Sequence, residues 1–429
     1  MNRSFVKPFD DLKKRILMTI LNMNQIDDKV WFLYGKKLAN GGLGLHHTFQ
    51  TSHSAFVASV IECSNDLEKF LHVENISEID NPMFSQLKVS IDFIKSRSDP
   101  DKIISFESLK ELIPKNGKVK GDGPKEALQH SISTFLEHSN SLKIKIDFST
   151  PEEIAWLTSI KNAESGLAFD IAPKTSMHTI SNADCIMMLK LRLRLPQQII
   201  LPGTKCDCST RKKVVTVDKY GIHFCTGCNK DGVRIQTHNA TRDHVEKILH
   251  YCGILTVKEE AHVFQTADPN INKRADISAL NLPDTFVKHL LDIRLTSPIP
   301  AINPESLIMA DAVKVDRAAN HSYNEKLHKY EAIASANNLG FIPIVFEITG
   351  RMHPVAHTLL EDIIKKTSRD RFAPFEAVWK YWISSLMIVI QKKLVEGIRA
   401  RCSNRYGRNY DSTFESRHNV IIEIDRIHT

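Results

Sequence analysis

Over the first 150 residues the apolar positions recur every three or four residues. The stretches 12–21, 54–60, 67–71 and 83–94 each lay a stripe along one side of a helix. That spacing predicts a mainly helical region over 1–150. Two stretches interrupt it. The run 115–125, rich in glycine and lysine, predicts an exposed loop, and Gly41-Gly42-Leu43-Gly44-Leu45 breaks the helical period. The glycine segment has neither the Lys-Ser/Thr ending of a phosphate-cradling loop nor the strand context of a dinucleotide fingerprint, so no nucleotide site is expected there.

Residues 151–200 read as a helical linker ending at Pro196. Within it, 190–195 alternates charged and apolar residues as a strand would, yet the apolar run 186–189 just before it favours a helix continuing to Leu195. Either way Lys190, Arg192 and Arg194 predict a basic surface. From 241 the pattern alternates: a helix over 242–252, a strand over 254–258, an extended segment over 274–280, a turn at 282–284 and a strand over 287–295. A long helix follows over 311–337. The nearly continuous apolar run 341–348 then reads as a central strand. Helices over 354–366 and 375–399, a basic stretch with tyrosines over 399–410 and a strand-like run over 420–427 complete the chain. The expected divisions are 1–150, 151–200, 201–240, 241–370 and 371–429.

At 429 residues the chain needs more than one core. Its formal charge of +7, from 57 Lys+Arg against 50 Asp+Glu, suits a polyanionic partner without demanding one. The amino terminus lacks the apolar core of a signal peptide, and no apolar run approaches the roughly 20 residues that span a bilayer. A soluble, intracellular protein with no membrane partner is expected.

Cysteine usage changes the picture. Of eight cysteines, Cys206, Cys208, Cys225 and Cys228 cluster beside His223, while Cys63, Cys185, Cys252 and Cys402 are scattered, which is not a disulfide framework. Zinc takes four thiolate or imidazole ligands in a tetrahedron, and short loops supplying thiolates in pairs meet that need. The preferred set is Cys206, Cys208, His223 and Cys228, with Cys225 as a substitute, so 201–240 reads as a zinc-binding loop. Lys205, Arg211, Lys212, Lys213 and Lys219 surround it.

A second constellation follows. Asp276 enters one extended segment and Asp292 lies on the next; along 290–295, Asp292 and Arg294 share one face while Leu291, Ile293 and Leu295 share the other. If the strands pair around 282–284, two like-charged carboxylates approach and call for a hard cation, Mg2+ or Mn2+. Glu246 and Glu260 are further candidate ligands. Glu347, ending an apolar run, needs a partner or a place in the metal site. A lysine to complete a hydrolytic site comes from the following helix, where Lys326 shares a face with Tyr323, Tyr330 and Ile333, and Lys329 on an adjacent side is second choice.

Taken in order, Gly41-Gly-Leu-Gly-Leu45, Leu189-Lys-Leu-Arg-Leu-Arg-Leu-Pro196, Cys206-Asp-Cys208, Gly221-Ile-His223, Cys228, Arg234-Ile235, His238-Asn239, Arg274-Ala-Asp276, Leu291-Asp-Ile293, Lys326-x-x-Lys329-Tyr330 and Phe346-Glu347 carry a resemblance. The chain resembles the carboxy-terminal part of non-LTR retrotransposon polyproteins that carry a PD-(D/E)xK restriction-like endonuclease downstream of their reverse transcriptase. The resemblance implies an α/β restriction-endonuclease-like core with a zinc-binding loop, preceded by a mainly helical region and followed by helices. It implies Asp276 and Asp292 as metal ligands and Lys326 or Lys329 as the catalytic lysine. Arg192, Arg194, Arg234, His238, Asn239, Arg274 and Arg294 become candidate nucleic-acid contacts. The implied function is magnesium-dependent nicking of target DNA during integration, in the nucleus, with element RNA as a further partner; the alternative is a catalytically decayed nucleic-acid-binding module. The chain departs from the pattern at Ala275, where the family has proline, and at Arg294, where it has a small polar residue. No Tyr/Phe-x-Asp-Asp polymerase signature is found in the chain.

Overall fold

A computed structural model describes residues 6–72, 82–97, 105–110, 129, 132–133, 136–137, 147–172, 175–206, 208, 215–228, 232–260, 274–283, 285, 287–300 and 304–406. The loop expected over 115–125, the basic residues Arg211, Lys212 and Lys213, and the strand-like run over 420–427 lie outside them. The chain divides into two units. One is Met1–Lys37 with Gly44–Ser149, and the other is Leu38–Leu43 with Thr150–Thr429.

The first unit is helical among its described residues, with helices Val6–Ile20, Asp28–Tyr34, Thr48–Glu62, Ser64–Leu71, Pro82–Ser96 and Phe106–Lys110. Val57, Ile61, Leu87, Ile94 and Ile132 form its core. Thr48–Glu62 begins after His47, which offers no side-chain cap. Asp10 supplies the missing acceptor, taking hydrogen bonds from Thr48 N at 2.9 Å and Phe49 N at 2.8 Å.

The second unit is mixed α/β. Its sheet holds β3 (Leu255–Lys258), β4 (Ile277–Leu280), β5 (His289–Thr296) and β6 (Gly340–Glu347) in that order, the numbering following a small hairpin of β1 (Lys205–Cys206) and β2 (Val215–Thr216). β3–β4 and β4–β5 pair antiparallel, and β5–β6 pair parallel. Helix Arg317–Ala336 packs on β5 and β6, helix Val233–Tyr251 packs on β3 and β5, and helix Phe375–Tyr406 runs along Val233–Tyr251. Leu290, Leu291, Ile293, Ile344, Val345 and Phe346 are buried between these layers. Among the described residues no helix is long and apolar enough to cross a membrane.

Four expectations need correction. The apolar run read as a central strand is β6, at the edge of the sheet. Continuous hydrophobicity reports covered faces, not paired edges, and helices Arg317–Ala336 and Pro354–Asp370 lie against β6; Pro343, which cannot donate to a ladder, fits an edge. The helix expected over 311–337 is split into Met309–Ala312 and Arg317–Ala336 by Asp316, whose φ of 57° is left-handed and whose carboxylate pairs with Arg351 at 2.8 Å. The helix expected to reach Leu195 ends at Arg192. Lys190 and Arg192 form no basic surface there, because both are buried. Arg192 donates to Gly42 O at 3.0 Å, Ser165 O at 2.8 Å and Leu38 O at 2.6 Å, holding the Leu38–Leu43 segment within this unit. Burial alone pushes the Lys190 ammonium down to about 8.

Candidate metal centre and carboxylate site

The cysteine loop is built from a hairpin and a turn. β1 presents Cys206 opposite Val215 of β2. Beyond β2, the Asp218 carboxylate accepts from Tyr220 N at 3.0 Å, Ile222 N at 3.1 Å and His223 N at 2.8 Å, winding the chain into the π-type turn His223–Gly227. Gly221 is required there. Its φ is 83°, and a Cβ would stand 2.9 Å from Ile398 Cδ1.

The result gathers Cys206, Cys208, His223 and Cys228, whose ligand atoms all lie within 4.8 Å of one another. Cys206 Sγ and Cys228 Sγ are 3.7 Å apart, and Cys208 Sγ is 3.2 Å from His223 Nε2. A zinc tetrahedron with Zn–S bonds of about 2.3 Å has S···S edges of about 3.8 Å, so the cluster fits a metal ion such as zinc. Cys225 is buried outside the group, and burial raises its thiol far above the usual range. The preferred set with Cys228, rather than the substitute Cys225, is therefore the one brought together. Arg401, from Phe375–Tyr406, donates to Cys206 Sγ at 3.2 Å and lies over the Phe224 ring. Burial opposes ionisation of Cys206, but hydrogen bonds from Cys208, Arg401 and Cys228 outweigh it and hold that thiol below its ordinary value. None of the eight cysteines is in a disulfide. Sequence reasoning missed Asp218 and Arg401. Asp218 was detectable as an Asx turn ahead of a glycine, whereas nothing local marks Arg401.

The second constellation is set by sheet register. Ile277 of β4 lies opposite Leu291 of β5, so one further residue along the antiparallel pair places Asp276 opposite Asp292. Asp276 Oδ2 accepts from Ile293 N at 2.7 Å. His238, on Val233–Tyr251, places Nε2 3.1 Å from that same oxygen and 3.0 Å from Ile293 O, so Nε2 carries the hydrogen. Its Nδ1 lies 3.2 Å from Asn239 Oδ1. Burial opposes charge on His238, but the hydrogen bond and charge of Asp276, with Asn239 and Asp292, lift its pKa above the ordinary value.

Asp292 is paired with a lysine. Lys326 Nζ donates to Oδ1 at 3.0 Å and stands 2.8 Å from Oδ2, an oxygen that is buried and has contact with the ammonium but no well-directed hydrogen bond. Burial and the neighbouring Asp276 push the Asp292 carboxyl up, against the pull of Lys326 and His238. The lysine arrives there because Tyr330 and Ile333, on the same helix face, pack with Leu290 and Phe341. Lys329 is exposed, its ammonium 5.3 Å from the Tyr330 ring.

The other candidates lie in different settings. Glu246 pairs with Lys258 at 3.1 Å and Glu260 with Lys288 at 2.6 Å. Glu347 is buried, receives a hydrogen bond from Ser159 and has its carboxyl pushed up by burial, in a network with Arg351. Arg194 donates to Glu152 O, and Arg274 is exposed near Glu259. Arg234 and Arg294 line one cleft. No protein-family model matches the chain, and no curated protein matches it.

Proposed function

We propose that the chain is a divalent-metal-dependent endonuclease that hydrolyses phosphodiester bonds of DNA on a restriction-endonuclease-like core, with a zinc knuckle beside it, as in a retrotransposon-derived nuclease. The observation that carries this reading is the placing of Asp276 opposite Asp292 with the Lys326 ammonium against the second carboxylate. Magnesium or manganese would be held by Asp276 and Asp292, where it supplies Lewis-acid polarisation of a phosphate and acidification of a water. The donor set fits a hard cation. Both groups are oxygen donors, each raises the charge burden of the other, and a buried Asp292 oxygen lacks a directed donor.

The chain's own groups have separable roles. Ile293 N–H and His238 fix Asp276, so its orientation is set by β5 and by Val233–Tyr251 together. Lys326 lies against Asp292 and would place its ammonium where negative charge develops on a phosphate in the transition state. The knuckle turn His223–Gly227 packs against Val233–Tyr251, so its order supports the helix that carries His238.

One observation favours a second reading, a nucleic-acid-binding module without cleavage: Lys326 already neutralises Asp292, leaving a balanced ion pair where a metal would bind. Nicking of supercoiled plasmid separates the two. The nuclease reading expects magnesium-dependent conversion to open circles, abolished by chelation and by Asp292→Asn; DNA binding with no nicking in magnesium or manganese selects the module.

A further inference from the structure

Near the end of β5, beyond the carboxylate pair, lies an open cleft of about 190 Å³ whose lining includes Arg234, Arg294, Thr226, Thr296 and Ser297. Two arginines line it, and among the described residues lining it none is acidic. Arg294 Nε and Thr226 Oγ1 are both buried and have no hydrogen-bond partner. A buried donor without an acceptor is disfavoured, so the Arg294 Nε–H favours an anion in the cleft. The elements that meet here are the knuckle turn, which gives Thr226, the first turn of Val233–Tyr251, which gives Arg234, and β5.

Position relative to the carboxylates narrows the ligand. Asp292 and Arg294 are two residues apart on one strand, hence on the same face and about 7 Å apart. That separation is comparable to the step from one phosphate to the next along a nucleic-acid strand. A planar guanidinium fork with a neighbouring hydroxyl matches the oxygens of a phosphate diester.

We propose that this cleft is a phosphate-binding site that seats a backbone phosphate of the nucleic acid next to the one over Asp276 and Asp292, an inference that rests on the nucleic-acid reading above. Arg294 and Arg234 grip the same phosphate, and Thr226 donates to it. In the resting protein the unpartnered Nε and hydroxyl await that ligand.

The test uses the zinc-loaded full chain without magnesium and two probes, a fluorescent duplex oligonucleotide and inorganic phosphate. Arg294→Gln and Arg234→Gln are each expected to weaken duplex binding about tenfold and to lower the slope of log K against log salt by about 0.9, the share of one phosphate. Because one phosphate is shared, the double variant loses no further slope. Inorganic phosphate should shift the Nε–H resonances of Arg294 and Arg234 at the same concentration, and Thr226→Val should weaken that response. Duplex binding unchanged in the arginine variants, with Nε–H resonances unmoved by phosphate, overturns the cleft and leaves the nuclease reading standing. Slope losses that add in the double variant also overturn it, since they assign the arginines to separate phosphates. Phosphate binding to both arginines with no duplex binding by the wild-type chain supports the anion site and instead removes the nucleic-acid reading.

Discussion

The cysteine cluster and the carboxylate pair bring like groups together by opposite means. Cys206, Cys208, His223 and Cys228 come from one short segment and converge within 4.8 Å, with Arg401 as the cation beside Cys206. Asp276 and Asp292 come from neighbouring strands, and their charge is met by His238 and Lys326 from two helices on the sheet. A local ligand set has little scaffold of its own, so the ion supplies folding energy. A distributed set inherits its geometry from β-register, so the fold does not depend on an ion there, and on the proposed reading a bound ion would serve chemistry. The first centre should therefore fail as structure, and the second as activity.

The largest expected effect breaks the first centre. Cys228→Ala should abolish zinc binding and unravel the knuckle, since structural zinc sites contribute on the order of 10 kcal/mol or more to folding. Cys225→Ala should keep one zinc per chain, with only the cost of a small cavity, about 1–2 kcal/mol. Metal analysis with thermal melting checks both, and equal zinc loss in the two variants would contradict the assignment.

The next effect sharpens the second centre. Lys326→Ala should lower the nicking rate by about 10²- to 10⁴-fold with little change in DNA affinity, because its ammonium acts mainly in the transition state. Lys329→Ala, exposed over Tyr330, should leave the rate constant near wild type and weaken binding by less than about tenfold. Single-turnover kinetics separate the two; a rate defect confined to Lys329→Ala would exchange the roles.

The smallest effect uses a carboxylate held for structure alone. Burial opposes the charge of Asp10, but hydrogen bonds from Lys13, Phe49 N and Thr48 N outweigh it and hold its pKa below the ordinary 3.8. A depressed carboxyl contributes stability above the ordinary value and loses it as pH falls through the folded value. Asp10→Asn should therefore cost about 1 kcal/mol at neutral pH, with a difference that shrinks in acid. Denaturant titrations at pH 7 and in acid read this, and a pH-independent difference would contradict the capping account.

How much of this was legible in the sequence follows the same division. The metal-binding cluster was legible because thiols are rare and their spacing is short, and the preference for Cys228 over Cys225 holds, because the turn wound by Asp218 brings Cys228 and not Cys225 to the other three. The Lys326 face was visible from Tyr330 and Ile333 at helical spacing, because packing on a sheet preserves that period. The edge position of β6 was hidden, since hydrophobicity does not record which strand borders which. Arg192 was misread because charge alone suggests surface, whereas its fate was decided by carbonyls about 150 residues earlier, at Leu38 and Gly42. Glu246 and Glu260 were plausible by type only, and the lysines that pair with them come from β3 and from just before β5.

The most direct test of the two-centre account is a count of ions by kind. Zinc-loaded protein without DNA is titrated with Mn2+, and bound manganese is read by electron paramagnetic resonance. The account predicts one manganese per chain that does not displace zinc, retained in Cys225→Ala and lost in Asp276→Asn and in Asp292→Asn while their zinc stays at one. Manganese binding unaffected by both aspartate substitutions, or none at millimolar concentrations, would contradict a carboxylate metal site.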